Sequence, residues 1–232
     1  MLKPIEPESF DRFTGLIIGE AGIGKTSLLR TIPEDEKVCC ISAEAGLLCV
    51  RDMVISRQIT GFEVESFDDM QEAYSLLTQK EFQEQYKWIF IDSLTEIASR
   101  CVEAMKKKYP KKADAFSLWG EYNDLMTKII KDFRDISSYS VIFTCLPSTE
   151  KDENNKRYIA PAMSGASLKE RLTSYFDEVF YMTVQKDDEG VNHRVFITQP
   201  YDRYPAKDRS GRLATIEKPD IEHIKNKIFK ED

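Results

Sequence analysis

Eight consecutive residues, Gly19-Glu20-Ala21-Gly22-Ile23-Gly24-Lys25-Thr26, match the phosphate-binding pattern G-x-x-x-x-G-K-[ST]. Each fixed position has a physical duty. Gly19 and Gly24 allow backbone turns that a Cβ resists, so successive N–H groups can point at phosphate oxygens. Lys25 brings a compact positive charge to the β- and γ-phosphates, and Thr26 offers a hydroxyl to Mg2+. Ser27 follows at the start of the next helix and joins the expected nucleotide-binding set. The ligand this spacing serves is a nucleoside triphosphate with Mg2+. The competing reading is a glycine-rich turn that happens to carry a lysine. The flanks weigh against it, because Phe13–Ile18 is an apolar run suited to a buried strand and Thr26–Arg30 begins a helix.

Two carboxylates complete the chemistry. Trp88-Ile89-Phe90-Ile91-Asp92-Ser93 has four apolar residues and then an aspartate at the expected C-terminal end of a strand, where ligands bind in parallel α/β sheets. Beside the loop, Asp92 is expected to hold Mg2+ through water, opposite Thr26. Alone it reads equally as the N-cap of the following helix. Glu44, in Ile41-Ser42-Ala43-Glu44, follows another apolar run. A carboxylate there can orient and activate a water for attack on the γ-phosphate; position alone leaves it equally a surface glutamate at a turn. No N-K-x-D base-reading motif is present, which disfavours GTP and leaves ATP. No Arg-rich lid is evident, which ranks a small-molecule kinase low.

The elements that must position these residues alternate. Strands are expected at 38–42, 88–91, 140–145, 178–184 and 194–199. A helix is expected over 68–82, with Met70, Ala73, Tyr74 and Leu77 on one face and Ser66-x-x-Asp69 as its capping box. Ser93-x-x-Glu96 caps the next helix, whose Leu94, Ile97, Cys101 and Met105 share a side. Trp119, Tyr122, Met126, Ile129, Ile130 and Phe133 recur at helical spacing, and a last helix near 220–229 presents Ile221, Ile224 and Ile228. These stripes read as core. The 151–156 segment reads as a solvated turn or mobile loop. The pattern implies an α/β fold: a single domain with a mostly parallel central sheet flanked by helices.

The motif order, Ile41-Ser42-Ala43-Glu44 and Asp92-Ser93 resemble the core of RecA-type recombinases. More narrowly, the chain resembles phage and prophage RecA-core-only ATPases linked to single-strand annealing and recombination. The likeness runs from about residue 13 to the C-terminus. It implies a single RecA-like P-loop domain over 13–232, after an N-terminal extension of residues 1–12. It also implies that Glu44 is catalytic alongside Lys25. The most specific late element is Lys207-x-Arg209-x-Gly211 within Thr198–Gly211. Without the resemblance, this pair reads as a solvated basic turn balanced by Asp202 and Asp208. With it, Lys207 and Arg209 become a finger reaching a neighbouring subunit's ATP. The implied assembly is a homo-oligomer, ring or filament, with ATP held between subunits.

The resemblance further implies an ATPase acting on single-stranded DNA, with a single-strand DNA-binding protein as a further partner. Lysine runs more often mark solvated helix ends, but the family's geometry makes Lys106, Lys107, Lys108, Tyr109, Lys111 and Lys112 DNA-binding candidates. Lys156 and Arg157 are a second set. The chain departs from the family where the fourth strand ends Thr144-Cys145-Leu146-Pro147. The usual glutamine is absent, so Thr144 is the candidate for meeting the γ-phosphate. A different class, a nucleotide-gated loader acting through protein partners, fits the same loop.

Composition agrees with a globular domain. The 232 residues are 41% hydrophobic and 31% charged, with net charge −7, which excludes a surface coated in positive charge. No apolar run approaches a membrane span, and the N-terminus lacks signal-peptide features. Five cysteines without a C-x-x-C pair read as reduced core residues, and two distant histidines argue against zinc. The expected location is the cytoplasm, that of a bacterial host if phage-encoded.

Overall fold

The computed structural model describes residues 11–44 and 46–229, so most of the expected extension 1–12 lies outside the described residues. The strands are β1 Thr14–Gly19, β2 Val38–Ser42, β3 Ile59–Glu63, β4 Trp88–Asp92, β5 Ser140–Cys145, β6 Pro147–Lys151, β7 Arg157–Pro161, β8 Glu178–Lys186, β9 Asn192–Ile197, β10 Lys207–Asp208 and β11 Ile216–Glu217. The α-helices are α1 Arg51–Ile55, α2 Asp68–Leu77, α3 Lys80–Gln85, α4 Leu94–Lys108, α5 Ala115–Arg134, α6 Ala166–Arg171 and α7 Ile221–Ile228.

Nine strands form one sheet in the order β11-β9-β8-β1-β5-β4-β2-β3, with β10 also on β8. From β8 to β3 every neighbouring pair is parallel, while β9, β10 and β11 pair antiparallel. Helices cover both faces, and every residue of β1, β2, β4 and β5 is buried. That is why these strands read as unbroken apolar runs. Successive residues feed two cores. Leu16, Ile91 and Phe143 pack with α2, α4 and α5, whereas Ile17, Phe90 and Phe180 pack with Leu28, Leu29 and α7.

Four local expectations are changed or sharpened. The helix expected over 68–82 ends at Leu77 and restarts at Lys80 after an extended Gln79. Side chains close the break: the Thr78 hydroxyl donates to the Ser75 carbonyl, and the Gln83 amide donates to the Thr78 carbonyl. In the expected capping box only the acid acts, Asp69 accepting from the Glu65 and Ser66 N–H groups at 2.8 Å each. Trp119 is 40% exposed rather than buried; its ring meets Tyr122, which fills the core instead. Antiparallel β6 and β7 flank the expected turn and make it the tip of a hairpin.

Four of the five cysteines are buried and all are free, Cys49 being exposed. Among the described residues, no helix is long and apolar enough to cross a membrane.

Candidate nucleotide-binding site

β1 delivers the chain to Gly19, and the loop then turns through Gly22 and Gly24 with φ of +75° and +105°. A side chain at Gly19 would also collide, since an added Cβ would lie 3.0 Å from the Met182 carbonyl oxygen on β8. The residues after the loop form a six-residue 3-10 turn, Thr26–Thr31, rather than an α-helix. Pro33 forces Ile32 into extended backbone and stops further winding. The Thr31 hydroxyl accepts from the Ile221 N–H at 2.8 Å and ties this turn to α7.

The Lys25 ammonium folds back over the loop, donating to the carbonyls of Gly19 at 2.7 Å and Glu20 at 3.0 Å. Burial holds its pKa below the ordinary lysine value, opposed by the nearby Asp92 and Glu44 carboxylates. The amine is therefore close to both acids while bonded to neither.

Asp92 sits at the end of β4, 2% exposed. One carboxylate oxygen accepts from the Thr26 hydroxyl and the other from the Thr144 hydroxyl, each at 2.5 Å. β5 makes this possible by lying between β1 and β4, with Thr144 opposite Ile17. Thr144 is fully buried, and its hydroxyl is committed to Asp92.

Glu44 reaches the same place from β2, whose Ser42 is in register with Asp92. Its carboxylate accepts from the Ser93 hydroxyl, which in turn accepts from the Glu96 N–H and caps α4. Ser93 follows Asp92 through a cis peptide bond. Lys25, Thr26, Asp92, Thr144 and Glu44 thus converge from four different strand ends.

Sequence reasoning missed Arg100. Its guanidinium donates to the carbonyls of Ala43 at 2.9 Å and Glu65 at 2.6 Å, pinning the segment that presents Glu44. The readable signal was an arginine two turns into a helix that begins at the Asp92 strand end.

Magnesium fits this chemistry. Thr26 and Asp92 already bring a hydroxyl and a carboxylate oxygen to one point, hard oxygen donors of the kind Mg2+ prefers. Among the described residues no group of three or more His, Cys, Asp or Glu side chains is placed to hold a metal, so phosphate oxygens and water would supply the remaining ligands. When bound there, Mg2+ neutralises charge on the phosphates.

A family model described as an AAA domain matches residues 12–210, which includes every element of this site. The chain belongs to that AAA-domain family of P-loop ATPases. No curated protein matches it.

The remaining candidates of this AAA domain lie elsewhere. Lys207 and Arg209 stand at the opposite end of the sheet, where Lys207 on β10 pairs with Val179 near the start of β8. Gly15 and Gly19 lie opposite Glu178 and Met182, so roughly 13 Å of strand separates the two ends. Lys207 donates to the Phe176 carbonyl at 2.5 Å, and Arg209 pairs with Asp177 at 2.6 Å. Neither can serve the loop of its own chain. The expected balancing partners were Asp202 and Asp208; the actual ion-pair partner is Asp177.

Among the DNA candidates, Lys108 and Tyr109 are both bonded to Glu121, at 2.6 Å each. Lys106, Lys107, Lys111 and Lys112 are exposed and have no carboxylate partner among the described residues. Lys156 and Arg157 are exposed at the β6–β7 tip. Both basic segments grow from strand ends that carry the site, one through α4 from β4 and one directly from β5.

Proposed function

We propose that the protein is a Mg2+-dependent ATPase that acts on single-stranded DNA in recombination or annealing, as in the phage and prophage RecA-core ATPases it resembles. In this reading subunits stack head to tail and hold ATP between them. Lys25 and the loop N–H groups bind the phosphates, Thr26 and Asp92 hold the cation, and Glu44 accepts a proton from the attacking water. The observation that carries the subunit arrangement is the split across the sheet. Lys207 and Arg209 sit at the end that their own loop does not reach, so a finger role requires a neighbour. The DNA reading draws on the lysines at and just after the end of α4 that lack a partner among the described residues, and on the hairpin tip, in a chain whose net charge is −7.

The deciding experiment measures ATP hydrolysis with and without single-stranded DNA beside particle size. The reading expects stimulation by DNA and a multimer. Mixed Lys25→Ala and Arg209→Ala subunits should recover activity at hybrid interfaces; no recovery at any ratio sinks the trans finger. A second reading, a nucleotide-gated loader, draws on Phe116, which is 92% exposed beside the lysine-rich turn. Under that reading ATP changes capture of a protein partner, and DNA leaves the hydrolysis rate unchanged.

A further inference from the structure

Arg194 on β9 belongs to none of the sets above. Yet an added Cβ on Gly24 would lie 2.9 Å from an Arg194 Nη nitrogen and 3.3 Å from its Cζ, so the guanidinium rests directly on the phosphate loop. The sheet explains how it gets there. Gly19 is in register with Met182, Met182 with Phe196, and Val184 with Arg194, so Arg194 stands one pleat beyond the end of β1. It shares a face with Phe196, which packs with Leu28 and Leu29 just beyond the loop. The loop and Arg194 therefore meet on one side of the sheet.

The charge on Arg194 has no internal use. Among the described residues it makes no hydrogen bond and no ion pair, although the chain carries 40 acidic residues. His193, on the opposite face, takes the nearby Asp187 at 2.6 Å. Two cations, Lys25 and Arg194, thus adjoin Gly24, and the described residues give Arg194 no anion. A guanidinium binds phosphate through a planar fork of donors, and one held beside loop N–H groups gains most when an anion fills the gap.

We propose that Arg194 is a phosphate-binding residue of the nucleotide site, acting within the same chain as the loop. It grips the phosphate chain rather than the base, because it abuts Gly24, where the loop N–H groups gather. The glycine at position 24 then has two reasons: its φ of +105° and the room the guanidinium occupies. The inference rests on nucleotide binding at the loop, and the test separates the two.

The test is displacement of a fluorescent ADP analogue by ATP, by ADP and by inorganic tripolyphosphate, which has no base. Arg194→Ala should weaken all three by about tenfold, about 1.4 kcal/mol, with Arg194→Lys in between. Melting without nucleotide should be unchanged, since Arg194 is exposed and has no partner among the described residues; if Ala perturbs folding, Arg194→Gln carries the same measurement. Tripolyphosphate displacement unchanged in Arg194→Ala overturns the proposal, as does a loss confined to ligands that carry a base. If the wild-type chain binds no nucleotide, it is the reading of the loop that fails.

Discussion

The two ends of the central sheet are both rich in charge, but they hold it differently. At the end that carries the loop, Asp92 is held by the hydroxyls of Thr26 and Thr144, and Glu44 by the hydroxyl of Ser93. Each donor is a rotor that can turn to another acceptor. At the opposite end, Asp208 accepts from the backbone N–H groups of Gly211 and Leu213, and Glu178 from that of Ser210. Those carboxyl groups fold their own turn. Releasing them would break it, whereas releasing Asp92 needs only the rotation of two hydroxyls. The first arrangement suits a site that trades protein contacts for a ligand. The second suits a scaffold that also orients Lys207 and Arg209.

The largest break in this contrast comes from Lys25→Ala. It removes an amine near both acids, and nucleotide affinity should fall by roughly 100-fold or more, read by titration of a fluorescent ADP analogue. The substitution also leaves the carbonyls of Gly19 and Glu20 without their donor, so melting must be followed alongside. Lys207→Ala should leave the affinity of the isolated subunit unchanged, because its amine meets the Phe176 carbonyl instead. Equal losses in both variants would erase the distinction between the two ends.

Glu44→Gln comes next. Its amide oxygen can still accept from Ser93, so ATP should bind normally while turnover falls by about 100- to 10,000-fold. Single-turnover hydrolysis beside ATP binding separates the two quantities. A normal rate would remove Glu44 from the chemistry and leave it as a partner of Ser93.

How legible the site was follows from the same physics. The loop, Asp92 and the parallel sheet could be read because fixed residue types serve backbone geometry and burial locally. Glu44 could be located by position but assigned a role only through the resemblance, because its surroundings depend on Ser93 and Arg100, which only folding brings near. Arg100 and Arg194 were invisible for a related reason. One acts on carbonyls 57 and 35 residues away, the other on a glycine with no side chain to betray the contact. The split of helix 68–82 escaped notice because two side-chain bonds to carbonyls close it, with no proline or glycine to mark the place.

Thr144→Val tests how Asp92 is held. The swap keeps shape but leaves one buried carboxylate oxygen without its donor, at a cost of about 1–3 kcal/mol in stability. It should also raise the Mg2+ concentration needed for half-maximal ATP binding by several fold, because the carboxylate is no longer aimed. Thr144→Ser should restore both. If Mg2+ dependence stays put while the rate falls, Thr144 meets the γ-phosphate directly instead.

The smallest effect on the nucleotide site lies at the other end, where the change concerns stability alone. Burial, reinforced by Asp208, raises the pKa of Glu178 from 4.5 to about 8. One of its oxygens is buried without a partner, as suits a carboxyl that keeps its proton. Across that window the folded chain binds a proton that the unfolded chain has released, so stability falls as pH rises from 4.5 towards 8 and levels off above. Asp177 reinforces the rise, whereas the Lys207 ammonium, drawn to the Glu178 charge, opposes it. Glu178→Gln is neutral at every pH, so its urea midpoint should lose this slope while nucleotide affinity stays as in the wild type. An unchanged slope would mean that Glu178 is ionised in the folded chain, its charge compensated by Lys207 and Arg209. The pair would then be tied to the scaffold more tightly than a mobile finger requires.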